Sequence, residues 1–98
     1  MSYVYILLCK NGKLYVGSTN NLKRRLNEHF TNRGCRFTKA NPPIRVLYVE
    51  EANKPRSREL QLKKLSRSQK LQLIENHKQR TLQLLQQLDI PPEYYSYV

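Results

Sequence analysis

The sequence predicts a mixed α/β chain of the α+β kind: a three-stranded antiparallel sheet flanked by helices, in the order β-β-α-β-α-α. Three features carry that expectation. Tyr3-Val4-Tyr5-Ile6-Leu7-Leu8-Cys9 is almost continuously apolar and rich in β-branched and aromatic residues, the composition of a strand covered on both faces. Asn11-Gly12 follows at once, a strong hairpin signal because both central residues of a type I′ turn need positive φ. Beyond it, apolar residues recur at helical spacing after groups of capping residues, with one further alternating run at residues 44–50.

Taken in order, Leu14-Tyr15-Val16-Gly17 is the return strand, which sets Tyr5 and Tyr15 near one another on neighbouring strands. Ser18-Thr19-Asn20-Asn21 is a cluster of N-cap residue types, and Leu22, Leu26 and Phe30 then recur at four-residue spacing, so a helix is predicted over about residues 21–30. Arg25 and His29 are i and i+4 on this helix and lie one above the other at the border of its apolar face, where both can point into one site. Gly17 is expected to serve the strand-to-helix corner, where a residue without Cβ is wanted.

Residues 31–43 carry Gly34 and Pro42-Pro43 together with Arg33, Arg36 and Lys39, and are expected to form a basic loop. The third strand follows, with Val46 and Tyr48 alternating against Leu47 and Val49. A helix is then predicted over about residues 56–65. Its Leu60 and Leu65 are expected to bury, and Glu59 is its lone acid among Arg56, Arg58, Lys63 and Lys64. Ser66-Arg67-Ser68-Gln69 fits a capping box and opens a further helix bearing Leu71, Ile74, Leu82, Leu85 and Leu88, interrupted by Lys78 and stopped at Asp89-Ile90-Pro91-Pro92. For Leu82, Leu85, Leu88, Tyr94, Tyr95 and Tyr97 the expectation is a helix and strap packed over the sheet, or a homodimer contact. His77 is expected to be an ordinary surface or flank histidine.

With 98 residues, 39% of them hydrophobic, the chain has material for one domain and one small core. No repeat or linker divides it. The longest apolar stretch falls far short of the ~20 residues that span a bilayer, and no basic n-region or Ala-x-Ala cleavage site precedes it. Neither a transmembrane segment nor a secretory signal is therefore expected, and a reduced, cytoplasmic protein is. Cys9 and Cys35 make neither a disulfide framework nor the closely spaced ligand pairs of structural zinc. Cys9 has the setting of a small buried hydrophobe, whereas Cys35 is reactive only where something lowers its pKa.

Eighteen Lys and Arg against seven Asp and Glu leave a formal charge of +11, which favours a polyanionic partner, nucleic acid or an anionic membrane surface, over a surface kept basic only for solubility. Fourteen of those bases, and four acids, lie between residues 23 and 70. Such a footprint suits phosphate contact, with strongly salt-dependent binding. Its candidate contacts are Lys23 and Arg24 on the first helix, Arg33, Arg36 and Lys39 in the loop, and Arg58, Lys63, Lys64 and Arg67 on and after the second helix.

At this point a family resemblance can be stated. Tyr3-Val4-Tyr5, then Tyr15-Val16-Gly17, then Arg25, His29 and Glu59 resemble, in order and spacing, the GIY-YIG nuclease superfamily in its small single-domain bacterial form. The resemblance covers about residues 2–75, including the glutamate-bearing segment Arg58-Glu59-Leu60-Gln61-Leu62-Lys63-Lys64-Leu65-Ser66-Arg67. The first tripeptide departs from the family name, with Tyr3 for Gly and Val4 for Ile. Residues 1–75 thus form the GIY-YIG-like part, and residues 76–98 a C-terminal helix extension and aromatic tail belonging to the same domain.

The resemblance implies metal-dependent hydrolysis of phosphodiester bonds in DNA, with one Mg²⁺, or Mn²⁺, held by Glu59. A hard cation that keeps most of its waters needs only one or two carboxylates. Arg25 would offer a fixed charged fork to the phosphate in the transition state. Tyr5 and Tyr15 are the family's tyrosines, and the base that activates water is either Tyr15 or His29, the latter directly or through Tyr15. A phenol is a poor base at neutral pH unless the metal or Arg25 lowers its pKa. Ser18 stands where some members carry Lys, which tells against a lysine-based activation scheme. Lacking a second domain for target reading, the chain is expected to select by shape or strand state, such as single strands, flaps or branches, or else to rely on a partner.

Each residue also has a plainer role: core tyrosines in a hairpin, a packing histidine, a phosphate-binding arginine, and Glu59 as an i, i+4 partner of Lys63. Two other functions stay open at this level. One is a non-catalytic nucleic-acid-binding module; the other is a DNA-repair accessory protein that uses its last helix to dimerise or dock on a partner.

Overall fold

Two apolar faces on one strand organise the structure, a computed structural model that describes residues 1–96. The expectation for Tyr97 lies outside the described residues. Strand β1 (Tyr3–Cys9) is central, flanked antiparallel by β2 (Leu14–Thr19) and β3 (Pro43–Glu51) in the order β2-β1-β3. Tyr3, Tyr5, Leu7 and Cys9 enter one core with Leu22, Leu26, Val46, Val49, Leu84, Leu85 and Ile90. Val4 and Ile6 enter a second with Val16, Tyr48, Ala52 and Leu62. The continuous apolar run is thereby explained: both faces of β1 are covered, and of its residues Leu8 alone is partly exposed. The β1–β2 connection is a 3-10 turn over Lys10–Gly12, and Asn11 (φ 69°) and Gly12 (φ 73°) both take the positive φ that Asn-Gly tolerates.

Helix α1 (Leu22–Phe30) starts where its capping residues place it, with the Asn21 side chain accepting from the Arg24 N–H. The predicted basic loop is not wholly irregular, for it holds a short helix, α2 (Arg36–Ala40). Cys35 provides no side-chain cap to this single turn, which left no boundary signal in the sequence. Strand β3 differs from simple alternation as well. Ile6 pairs with Tyr48 and Leu7 with Val46, so Leu47 is an extra residue, a bulge that places Val46 and Tyr48 in opposite cores.

Helix α3 (Pro55–Lys63) takes Pro55 into its first turn. It buries Leu62 and leaves Leu60 59% exposed, against expectation, while Leu65, just past its end, packs half-buried on the second core. Residues two apart are turned by about 200°, so burying Leu62 sends Leu60 to solvent and brings Glu59, one turn back, to the sheet edge. The capping box at Ser66 is present, with both reciprocal hydrogen bonds to Gln69.

The predicted last helix is two helices, α4 (Arg67–Asn76) and α5 (Lys78–Gln87), which part at His77, where the backbone leaves helical values (φ −114°). The His77 ring lies 4.9 Å from that of Tyr48, half-buried, so it acts as a packing residue at this joint. The break lets Leu73 and Ile74 pack on one core while Leu84 and Leu85 fill the other; Leu71 and Leu82 are exposed. Thr81 pins α5 to β3 by accepting from the Val49 N–H at 3.2 Å. The tail forms a strap in which Tyr94 stacks on Phe30 at 4.2 Å and donates its hydroxyl to Asn27 at 2.7 Å. No helix among the described residues is long and apolar enough to cross a membrane.

Candidate active site

Alternation along β1 and β2 places Tyr5, Tyr15 and Gly17 on the face covered by α1. Tyr5 is paired with Gly17 and Leu7 with Tyr15. The Tyr5 ring crosses the position where a side chain at residue 17 would stand: a Cβ there would lie 2.5 Å from the Tyr5 hydroxyl and 3.0 Å from the Tyr15 ring. Gly17 lies within β2 rather than at a corner, and the close approach of Tyr5 is what requires it. The Tyr5 and Tyr15 ring centroids are 6.4 Å apart.

Helix α1 then directs His29 between the two rings, 5.7 Å from Tyr5 and 5.4 Å from Tyr15, both edge-on. The His29 side chain is 1% exposed. Its Nε2 is hydrogen-bonded with the Tyr5 hydroxyl at 2.8 Å and its Nδ1 with Thr38 Oγ1 at 2.9 Å. Arg25, one turn earlier, pairs with Glu28 at 3.0 Å and brings its charge close enough to Tyr5 to favour the phenolate. Tyr5, His29 and Arg25, expected to share a site, are therefore neighbours in it. Phe37 of α2 stacks on Tyr15 at 5.5 Å and closes that side.

The electrostatics follow from this packing. Burial pushes the Tyr5 phenol up to about 12 against the opposing pull of Arg25. Burial raises Tyr15 further, with Cys35 adding to it. Neither tyrosine is an ionised base at neutral pH, contrary to an Arg25-lowered phenol. Burial, then the Arg25 charge, lowers His29 to about 4, so the imidazole is neutral and able to accept a proton. Burial opposes ionisation of the Cys35 thiol, but hydrogen bonds from the Tyr15 side chain and the Thr38 backbone N–H outweigh it and hold the thiol below its ordinary range.

Glu59 reaches the β2 edge from the sheet face that α3 covers. Ser18 donates to its Oε1 at 2.5 Å, and Lys63 Nζ lies 2.7 Å from its Oε2. The expected i, i+4 pair is thus present, together with a partner from β2. Burial disfavours the charge, yet Lys63 and Ser18 hold the carboxyl below its ordinary value, so Glu59 is ionised. Its field reaches Tyr5. Around it an open pocket is lined by Ser18, Arg56, Glu59 and Leu60.

With this geometry in view, the GIY-YIG catalytic domain family model matches residues 1–72. The chain belongs to the GIY-YIG family. That membership implies nuclease-type activity. The chain is 46% identical to a UPF0213 protein of Clostridium perfringens over 76% of this chain and 83% of that one. It is 45% identical to a UPF0213 protein of Oceanobacillus iheyensis over 79% and 93% of the two chains. The solution NMR structure of a UPF0213 protein from Bacillus halodurans, 34% identical, covers 76% of this chain and 84% of its own with a TM-score of 0.48.

The basic residues of this GIY-YIG domain fall into two groups. Lys23, Arg24, Arg33, Arg36, Lys39, Lys64 and Arg67 are exposed. Arg58 is instead committed to Glu50, through Nε at 2.8 Å and a second bond at 3.1 Å, and Tyr48 also donates to that carboxylate. Lys63 is held by Glu59. Three residues at the site were not singled out for it by sequence reasoning: Thr38, Gly34 and Arg56. Arg56 had a usable signal, since it sits one turn before Glu59. Thr38 and Gly34 had none beyond a glycine in a loop.

A divalent cation fits Glu59 on the chemistry of its donor. Among the described residues no three His, Cys, Asp or Glu side chains cluster. A hard ion that retains its waters does not need such a cluster, and the ionised Glu59 carboxylate, 21% exposed, faces an open pocket.

Proposed function

We propose that this GIY-YIG domain is a metal-dependent endonuclease that hydrolyses phosphodiester bonds in DNA and selects its substrate by strand state or branching. The observation that supports it most is the Tyr5 hydroxyl, hydrogen-bonded with His29 Nε2 within the field of the Arg25 guanidinium.

Water is activated through this pair. As the attacking water loses a proton to the Tyr5 oxygen, the Tyr5 proton passes to neutral His29, so no free phenolate forms at neutral pH. A histidine held near 4 is a weak acceptor in the free protein. Burial is the larger cause of that depression and the Arg25 charge the smaller; phosphate bound beside Arg25 offsets the second, so the base strengthens when substrate arrives. Arg25, released from Glu28, presents its fork to the nonbridging oxygens. Glu59, with Lys63 displaced, would hold Mg²⁺ or Mn²⁺, which supplies Lewis-acid stabilisation at the phosphate and the leaving oxygen. Arg56, at the mouth of the same pocket, and the exposed bases Lys23, Arg24, Arg33, Arg36 and Lys39 take the flanking phosphates.

The substrate class is tested with labelled single-stranded, flapped, branched and perfect duplex DNA of one sequence. Cleavage faster on the first three is expected. Equal rates on all four, or a sequence-specific cut in perfect duplex, would overturn the selectivity.

A further inference from the structure

We propose that Thr38 is a positioning residue that fixes His29 as its Nδ1–H tautomer, leaving Nε2 free to take the Tyr5 proton. The inference rests on the nuclease reading for its consequence, but its geometry stands apart from it. His29 and Thr38 are each 1% exposed, so both ring nitrogens must find partners inside the protein. Thr38 Oγ1 donates to the Cys35 carbonyl at 3.2 Å. A hydroxyl has one proton; with that proton on Cys35, its remaining role toward His29 Nδ1, 2.9 Å away, is to accept.

The other end of the ring fits the same assignment. The Arg25 charge beside Tyr5 disfavours a phenolic proton turned toward it, and His29 Nε2, 2.8 Å from the Tyr5 oxygen, is the acceptor on hand. A chain of single donors results, Tyr5 to His29 to Thr38 to the Cys35 carbonyl, with the Cys35 thiol, 3.6 Å from Thr38 Oγ1, as a further donor to that oxygen.

Gly34 makes the arrangement possible. A Cβ at residue 34 would lie 2.3 Å from His29 Nδ1 and 2.8 Å from Thr38 Oγ1, so any larger residue separates the pair or shifts the ring. The tautomer matters because an imidazole with its proton on Nε2 would donate to Tyr5 and could not relieve it of a proton.

The test combines imidazole ¹⁵N NMR of the full chain with cleavage of labelled single-stranded and branched DNA in Mg²⁺. In the wild type, His29 is expected to show a protonated Nδ1 and an unprotonated Nε2 at pH 7. Thr38→Val, which keeps shape and removes the acceptor, should move the proton toward Nε2. It should also lower kcat on the order of 100-fold with KM unchanged. Thr38→Ser should restore both. Finding the proton on Nε2 in the wild type overturns the lock whatever the variants do, so the test survives a Thr38→Val that fails to fold. An unchanged tautomer and kcat in a folded Thr38→Val overturns it as well. A wild type that holds the Nδ1–H tautomer and cuts no DNA overturns the nuclease reading and leaves the lock intact.

Discussion

Arg25→Ala is expected to lower kcat for DNA cleavage by a factor on the order of 100 to 1,000, while the Kd for the same DNA changes only a few-fold. The split follows from where the guanidinium is placed. In the resting protein it is held against Glu28 and close to Tyr5, about a third exposed and one helical turn from His29, so on the nuclease reading a rigid helix would deliver it to the reacting phosphate. Removing one preorganised charge that meets developing negative charge costs about 3 to 4 kcal/mol of transition-state stabilisation. Ground-state affinity, by contrast, would on this reading be spread over the exposed bases of α1, the loop containing α2, and the segment after α3, so the loss of one contact is diluted. Single-turnover rates beside filter-binding titrations at one salt concentration check it. A Kd that rises as much as kcat falls would mean that Arg25 only binds phosphate.

The second large effect is a dependence of folding stability on pH set by His29. Its ordinary value is 6.5, and in the folded protein burial and Arg25 lower it to about 4. The unfolded chain therefore binds more protons across that interval, and stability must rise with pH there. The contribution is fully present above about pH 6.5, falls as pH is lowered toward 4, and is gone below it. A shift of this size on a group 1% exposed corresponds to about 3 kcal/mol. His29→Gln, which keeps hydrogen bonding without a titrating ring, should flatten that part of the profile; carboxylates such as Glu59, which titrate lower, keep their own acid limb. Urea unfolding of both proteins from pH 4 to pH 8 reads the difference. Parallel profiles would show that His29 is solvated and protonates freely in the folded state.

How much of this was legible in the sequence depends on the range of the interaction concerned. Local signals held wherever the partner groups are close in the chain. Asn11-Gly12 took positive φ at both residues, Asn21 capped α1, and Ser66 with Gln69 closed both bonds of a capping box. The apolar run of β1 also announced its environment, because a strand buried on both faces has no polar side to display.

What failed depended on contacts between distant segments. The bulge at Leu47 is set by pairing with β1, and alternation cannot show an extra residue. The phase of α3 turns on whether Leu60 or Leu62 meets the sheet, and two leucines two apart read alike. The break at His77 carries neither Gly nor Pro; it exists because Ile74 and Leu84 serve opposite cores. At the site, the family resemblance singled out Tyr5, Tyr15, Arg25, His29 and Glu59, and the structure brings Tyr5, Tyr15 and His29 into direct contact. That Tyr5, and not Tyr15, holds His29 Nε2 is a tertiary fact, as is the need for Gly17 and Gly34.

Hydrolysis of DNA at a site anchored by Glu59 is the central claim, and it is tested most directly by comparing wild type with Glu59→Ala on labelled single-stranded and branched DNA. Each is run with Mg²⁺, with Mn²⁺ and with EDTA. The expected result is metal-dependent cutting by the wild type, abolished by EDTA and by Glu59→Ala, with DNA binding retained in the variant. Salt-sensitive binding without cutting by the wild type under any metal, or cutting undiminished in Glu59→Ala, would contradict it.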